Sequence, residues 1–188
     1  TGEAHTLTPA ELERIYRIGV EECKGKIPVH ANLPEEHSAS RTLEHVRRAL
    51  AAGVEVVHLY PLEGRHSMRP TAAELTAYFD NLLSVIKHPV AFAVNNRLLH
   101  YDVKPSAVAD ICRKYRQIVA VRMSDVRESY LIELKDRINW NMDYCVMLPG
   151  SISSLMLGAT GVFGSEGGII PKTIRRFLDH YEQREFDE

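Results

Sequence analysis

Apolar residues recur along this chain with two spacings that take turns. Leu12, Ile15, Ile18 and Val20 fall on one side of a helix that opens at Thr8-Pro9 and ends near Gly25. Thr8 has the chemistry of an N-cap, Pro9 suits a first helical turn, and Glu11 stands three residues after Thr8 as in a capping box. A short apolar run at 27–32 then reads as a strand. The next helix starts at Ser38 or Ser40, carries Leu43, Val46, Leu50 and Ala51, and closes at Gly53. The alternation continues with a strand at 54–61 and a helix at 71–86, whose buried side is Leu75, Tyr78, Phe79, Leu82 and Leu83. A strand at 89–95 follows, then a helix at 105–115, a strand at 117–124 and a helix at 124–138. A strand at 144–148, a short helix at 151–157, a strand at 161–165 and a helix at 171–181 complete the series.

Strands and helices that alternate through short connections predict right-handed crossovers and a parallel sheet buried on both faces. An open doubly wound sheet and a (β/α)8 barrel both satisfy that pattern. No Gly-x-Gly-x-x-Gly follows the first strand, which argues against a dinucleotide site.

The length of 188 residues predicts one domain over 1–188, and 45% hydrophobic content supplies a core for it. Acidic and basic residues are interleaved to a net charge of −2, so no nucleic-acid-binding face is expected. The apolar runs are shorter than the roughly 18 residues of a membrane span, and no signal-peptide pattern opens the chain. Cys23, Cys112 and Cys145 lack metal-ligand spacing and read as reduced thiols of a cytoplasmic protein. Trp140, in Asn-Trp-Asn, reads as a loop anchor.

The opening Thr1-Gly2-Glu3-Ala4-His5-Thr6-Leu7-Thr8 resembles a motif of the dihydrodipicolinate synthase and N-acetylneuraminate lyase family. Gly25-Lys26-Ile27-Pro28-Val29, Ala51-Ala52-Gly53-Val54, Pro61 and Leu157-Gly158-Ala159-Thr160-Gly161-Val162 extend the likeness in order along the chain. The resemblance implies an α/β (β/α)8 TIM barrel, an aldolase-type lyase that captures pyruvate through a lysine imine, and dimers or tetramers of identical chains. It places this chain on strands three to eight, without the first two strands and the C-terminal helices. Six strands do not close such a barrel, so either the sequence is a piece of a longer one or a second polypeptide supplies the rest.

At the step where the family carries its lysine, the run Ile118-Val119-Ala120-Val121 leads into Arg122. A guanidinium stays protonated and does not attack a ketone, but it binds carboxylates in a fork. Arg122 therefore reads as an anion clamp or a structural ion pair. The resemblance sets Val94 and Asn95 on the family's strand-five tyrosine and asparagine, Leu62 and Glu63 on its strand-four tyrosine pair, and Thr1 on its second threonine. His30, His58, Glu63, Asn95, Arg97, Arg122, Ser165 and Glu166 all fall at or just past strand ends. Arg122, Glu63 and Asn95 are the expected catalytic positions. Thr1, Val94, Arg97, Ser165 and Glu166 are the expected substrate contacts, with Gly164-Ser165-Glu166-Gly167-Gly168 as a turn suited to an anion. No metal and no cofactor are expected, and the predicted ligand is a small carboxylate or 2-oxo acid. Three readings stay open: a repurposed family member without imine chemistry, a binding or assembly partner of an active relative, and a conventional pyruvate lyase. For the last, Lys104 and Lys172 are poorly placed, on outer helices.

Overall fold

A computed structural model describes residues 4–64, 69–124 and 127–185, apart from the side chain of His5. Six strands form one parallel sheet in the order β1-β2-β3-β4-β5-β6: His30–Asn32, Val56–Leu59, Val90–Asn95, Ile118–Ser124, Asp143–Met147 and Gly161–Phe163. Each strand pairs with its successor in the chain, so the strand order never reverses. A doubly wound sheet requires such a reversal. Winding in one direction curls the sheet as a barrel wall, which decides between the two architectures left open by periodicity.

The strand side chains divide by parity. Ala31, Val57, Leu59, Val90, Phe92, Val94, Val121, Met123, Tyr144 and Val146 face the helices and join them in one apolar core. Val56, Ala91 and Ala120 sit on the other face as a small separate cluster. The helix layer comprises α1 Pro9–Cys23, α2 Ala39–Ala51, α3 Ala72–Leu83, α4 Asn96–Leu99, α5 Pro105–Lys114, α6 Glu128–Arg137, α7 Ser151–Met156 and α8 Pro171–Gln183. Thr8 and Thr71 start α1 and α3 with full capping boxes, to Glu11 and Glu74. Ala52 caps α2, and Gly53 turns the chain at φ 94°, a backbone angle glycine adopts without strain.

Some boundaries differ from the sequence expectation. Ser124 does not open a helix: it ends β4, paired with Asn95 and only 3% exposed, while α6 starts at Glu128 after Arg127. β1 starts at His30, since Pro28 has no N–H to give and the N–H of Val29 turns to the Glu55 carboxylate. The short α4 was not foreseen, and the glycine-rich turn expected after the last strand takes 3-10 form at Ser165–Gly168. The sheet is covered by helices on one face and not on both. Cys112 is fully buried, Cys23 and Cys145 are half-buried, and all three are free thiols. Trp140 packs against the core with the Arg116 guanidinium 3.8 Å above its ring. No helix among the described residues is long and apolar enough to cross a membrane.

Candidate functional site

At the carboxyl ends of the strands, the helix-free face of the sheet turns from apolar to polar. His30 and Asn32 of β1, His58 of β2, Asn95 of β3, Arg122 and Ser124 of β4, Met147 of β5 and Phe163 of β6 line a cavity of about 460 Å³. Arg97 and Leu98 of α4 and the Gly164-Ser165 turn complete its rim. Val56, Ala91 and Ala120 lie on the same face nearer the start of the strands.

Arg122 is the central group of this site, although it is only 8% exposed. Its Nη1 donates to Asn32 Oδ1 at 2.9 Å and to the Tyr60 hydroxyl at 2.6 Å, and Phe163 stacks on the guanidinium plane at 3.9 Å. Tyr60 in turn donates to Asn32 Oδ1 at 3.4 Å, so one amide and one phenol hold the near edge of the fork. Both hydrogens of Nη1 are thereby committed. The N–H groups of Nε and Nη2 have no hydrogen-bond or ion-pair partner among the described residues. Of the two sequence readings of Arg122, the structural ion pair has no partner among the described residues, and among them the edge that binds carboxylates in two parallel hydrogen bonds is unspent. Burial lifts the Tyr60 phenol above its ordinary pKa, against the opposing pull of Arg122, so it stays a neutral hydroxyl.

His58 Nε2 and His30 Nδ1 meet at 3.2 Å beside the arginine. Burial first, then the Arg122 charge, then His30 push the His58 imidazole down to about 3 from the usual 6.5. It is neutral at physiological pH. Because the folded value is lowered, the unfolded chain takes up this proton first. The stabilising contribution is full above pH ~6.5 and is lost as pH falls from there toward ~3, with a slope of up to about 1.4 kcal/mol per pH unit. Urea midpoints measured at pH 7 and pH 4.5 should fall less in His58→Gln than in the wild type. Equal falls would show that His58 does not carry this linkage.

With Arg97 and Arg122 cationic, His58 neutral and no carboxylate among the described lining residues, the cavity favours an anion. No lysine lines it either: Lys104 precedes α5 and Lys172 is on α8, both exposed. No cluster of three or more His, Cys, Asp or Glu groups among the described residues has the arrangement of a metal site.

Of the residues singled out from the sequence, Arg122, Asn95, Arg97 and Ser165 come together at this cavity. Asn95 accepts from the Leu98 N–H at 3.1 Å and caps α4, which fixes the position of Arg97. Val94 does not belong to the site. Its side chain is 1% exposed in the outer core, and the inward neighbour that pairs with Arg122 is Ala93. Glu63 is not a lining residue: it is 8% exposed and its carboxylate meets His37 at 3.4 Å. Glu166 is also outside the lining, and one of its carboxylate oxygens is buried against Gly164. Thr1 lies outside the described residues.

Sequence reasoning missed Asn32, Tyr60 and Phe163. Tyr60 brings a phenol to Arg122 two residues before Leu62, the position that the resemblance set on a family tyrosine. Inward parity with His58 was the signal that would have found it.

The profile of the dihydrodipicolinate synthetase family matches residues 1–188. The 4-hydroxy-tetrahydrodipicolinate synthase of Methanococcus maripaludis strain C5 is 26% identical over 100% of this chain and 63% of its own length. Dihydrodipicolinate synthase of Aquifex aeolicus superposes with a TM-score of 0.88 at 17% identity, covering 98% of this chain and 62% of the other. A prophage protein of the dihydrodipicolinic acid synthase family from E. coli K12, solved in complex with pyruvate, gives a TM-score of 0.83 at 17% identity over 94% of this chain and 59% of its own. The chain thus spans about 60% of the length of these relatives.

Proposed function

The chain belongs to the dihydrodipicolinate synthetase family, and from that premise we propose that it binds a 2-oxo acid or a related small carboxylate without forming an imine with it. The observation that carries this reading is the Nε–Nη2 edge of a buried arginine at the mouth of the strands, unspent among the described residues. Such a fork matches the two oxygens of a carboxylate, or one carboxylate oxygen and the adjacent 2-oxo group. Arg97 at the rim adds charge, and Asn95 and Ser165 add polar contacts. A guanidinium stays protonated and is no nucleophile toward a ketone. We assign the six strands to positions three to eight of the family barrel, which the coverage of about 60% of the relatives supports. An oligomer of identical chains in the cytoplasm accords with the family resemblance and the free thiols.

The test combines binding and trapping. Pyruvate, 2-oxobutyrate and 2-oxoglutarate are titrated in a thermal-shift assay, and each mixture is then reduced with borohydride and weighed by mass spectrometry. At a hundred times its Kd a ligand stabilises the folded chain by about 2.7 kcal/mol, and no covalent mass should be gained. An adduct that survives reduction would restore the conventional lyase. The absence of a shift with every probe would remove the 2-oxo acid.

A further inference from the structure

We propose that His30 is the acid–base group of this cavity and enolises a 2-oxo acid held by Arg122, with His58 positioning its imidazole. The proposal rests on the ligand reading above and adds a reaction to it. His30 and Asn32 are the inward residues of β1, and His58 is the inward residue of β2 paired with Asn32. Side by side on the cavity wall, the two imidazoles meet at 3.2 Å through His30 Nδ1 and His58 Nε2. They differ in access. His58 Nδ1 is buried without a hydrogen-bond partner among the described residues, whereas Nε2 of His30, on the cavity wall, is the ring nitrogen left free among them to meet a ligand.

This asymmetry fixes the protonated state. Arg122 from β4 and His30 from β1 are the charged or titratable groups acting on His58, and the Arg122 guanidinium beside it disfavours a second cation there. Within the pair His58 Nε2 is therefore the acceptor, and His30 is the proton-carrying partner of the proposed step. Imidazolium has hydrogens on both nitrogens, so His30 Nδ1–H must donate to His58 Nε2, and the proton that exchanges with the ligand is on Nε2 of His30. His58 is thus a fixed acceptor that stabilises the charged form, as the third group does in acid–base constellations generally.

The step balances without a co-reactant. His30 Nε2 takes a proton from C3 of the bound 2-oxo acid, the C3–H electron pair becomes the C2=C3 bond, and the carbonyl pair moves onto oxygen. The resulting enolate oxygen lies on the cationic Arg122 edge, which takes the place of an imine as the electron sink. Return of a solvent proton through His30 completes an exchange at C3.

Hydrogen–deuterium exchange into the methyl group of pyruvate, followed by proton NMR in D2O, tests this with the full chain. The wild type should exceed buffer by a hundredfold or more. His30→Gln should fall to the buffer rate while pyruvate still raises its melting temperature. His58→Phe should slow exchange at least tenfold and move its pH profile, and His58→Gln, whose amide oxygen accepts a hydrogen bond, should recover part of the rate. Pyruvate stabilisation with exchange no faster than buffer would overturn the acid–base role and leave the ligand reading standing, as would a His30→Gln protein that exchanges at the wild-type rate. Absence of any pyruvate stabilisation in the wild type would overturn the ligand reading, and this reaction with it.

Discussion

Phe92→Ala should lower the unfolding free energy by about 3–5 kcal/mol, the usual cost of emptying a buried aromatic site. Phe92 stands near the middle of β3, in the interior of the sheet, and is 1% exposed. Its ring stacks on Phe79 of α3 at 4.5 Å, and Phe79 meets Tyr78 edge-on at 5.2 Å. The Tyr78 hydroxyl then bonds Thr42 of α2 at 2.8 Å. The chain of contacts ties the sheet to two helices, so the hole left by alanine has rigid walls and little freedom to collapse. Val119 of β4 is the contrasting site. It is 39% exposed, and Val119→Ala should stay within about 1 kcal/mol. Urea midpoints at an unchanged m-value provide the measurement. A loss below about 1 kcal/mol for Phe92→Ala would mean that the sheet and α3 do not pack as described.

The helices could be read from the chain because their signals are local. Thr8 with Glu11 states a capping box in four letters, and the apolar side of α3 is spelled by Leu75, Tyr78, Phe79, Leu82 and Leu83. Short apolar runs marked the strands, best at Ile118-Val119-Ala120-Val121 of β4 and less sharply at β1, which is only His30–Asn32. Strand order was not legible, since periodicity carries no information on which strand lies beside which. Ser124 was misread because a serine after an apolar run looks like a cap, and only the pairing with Asn95 extends β4 through it. Val94 was an error of parity: a shift of one residue along a strand exchanges the two faces of the sheet. Arg122 was found at the end of its strand, but its surroundings were not. Asn32 is 90 residues away from it in sequence and Tyr60 is 62 away, distances over which no spacing rule operates.

Arg122→Ala should weaken binding of pyruvate by about a hundredfold to a thousandfold. Two charge-assisted hydrogen bonds from the Nε–Nη2 edge contribute roughly 1.5–3 kcal/mol each, partly offset by dehydration of the ligand, and every 1.4 kcal/mol is about a factor of ten. The loss is large because the arginine is held before the ligand arrives: Asn32 and Tyr60 fix Nη1 and Phe163 covers one face of the plane, so little side-chain entropy is left to remove. Arg122→Lys separates charge from geometry. It keeps the cation but loses the fork, and its affinity should fall between the two, about tenfold below the wild type. Arg97 is exposed on α4, where water and salt screen it. Arg97→Ala should cost about tenfold or less, and the wild-type contribution of that side chain should fade as salt rises. Calorimetric titration of the four proteins, with circular dichroism to confirm that each is folded, measures the series. If Arg122→Ala binds pyruvate within threefold of the wild type while Arg97→Ala does not, the anion is held at the rim, and the buried fork is a strut between the ends of the sheet.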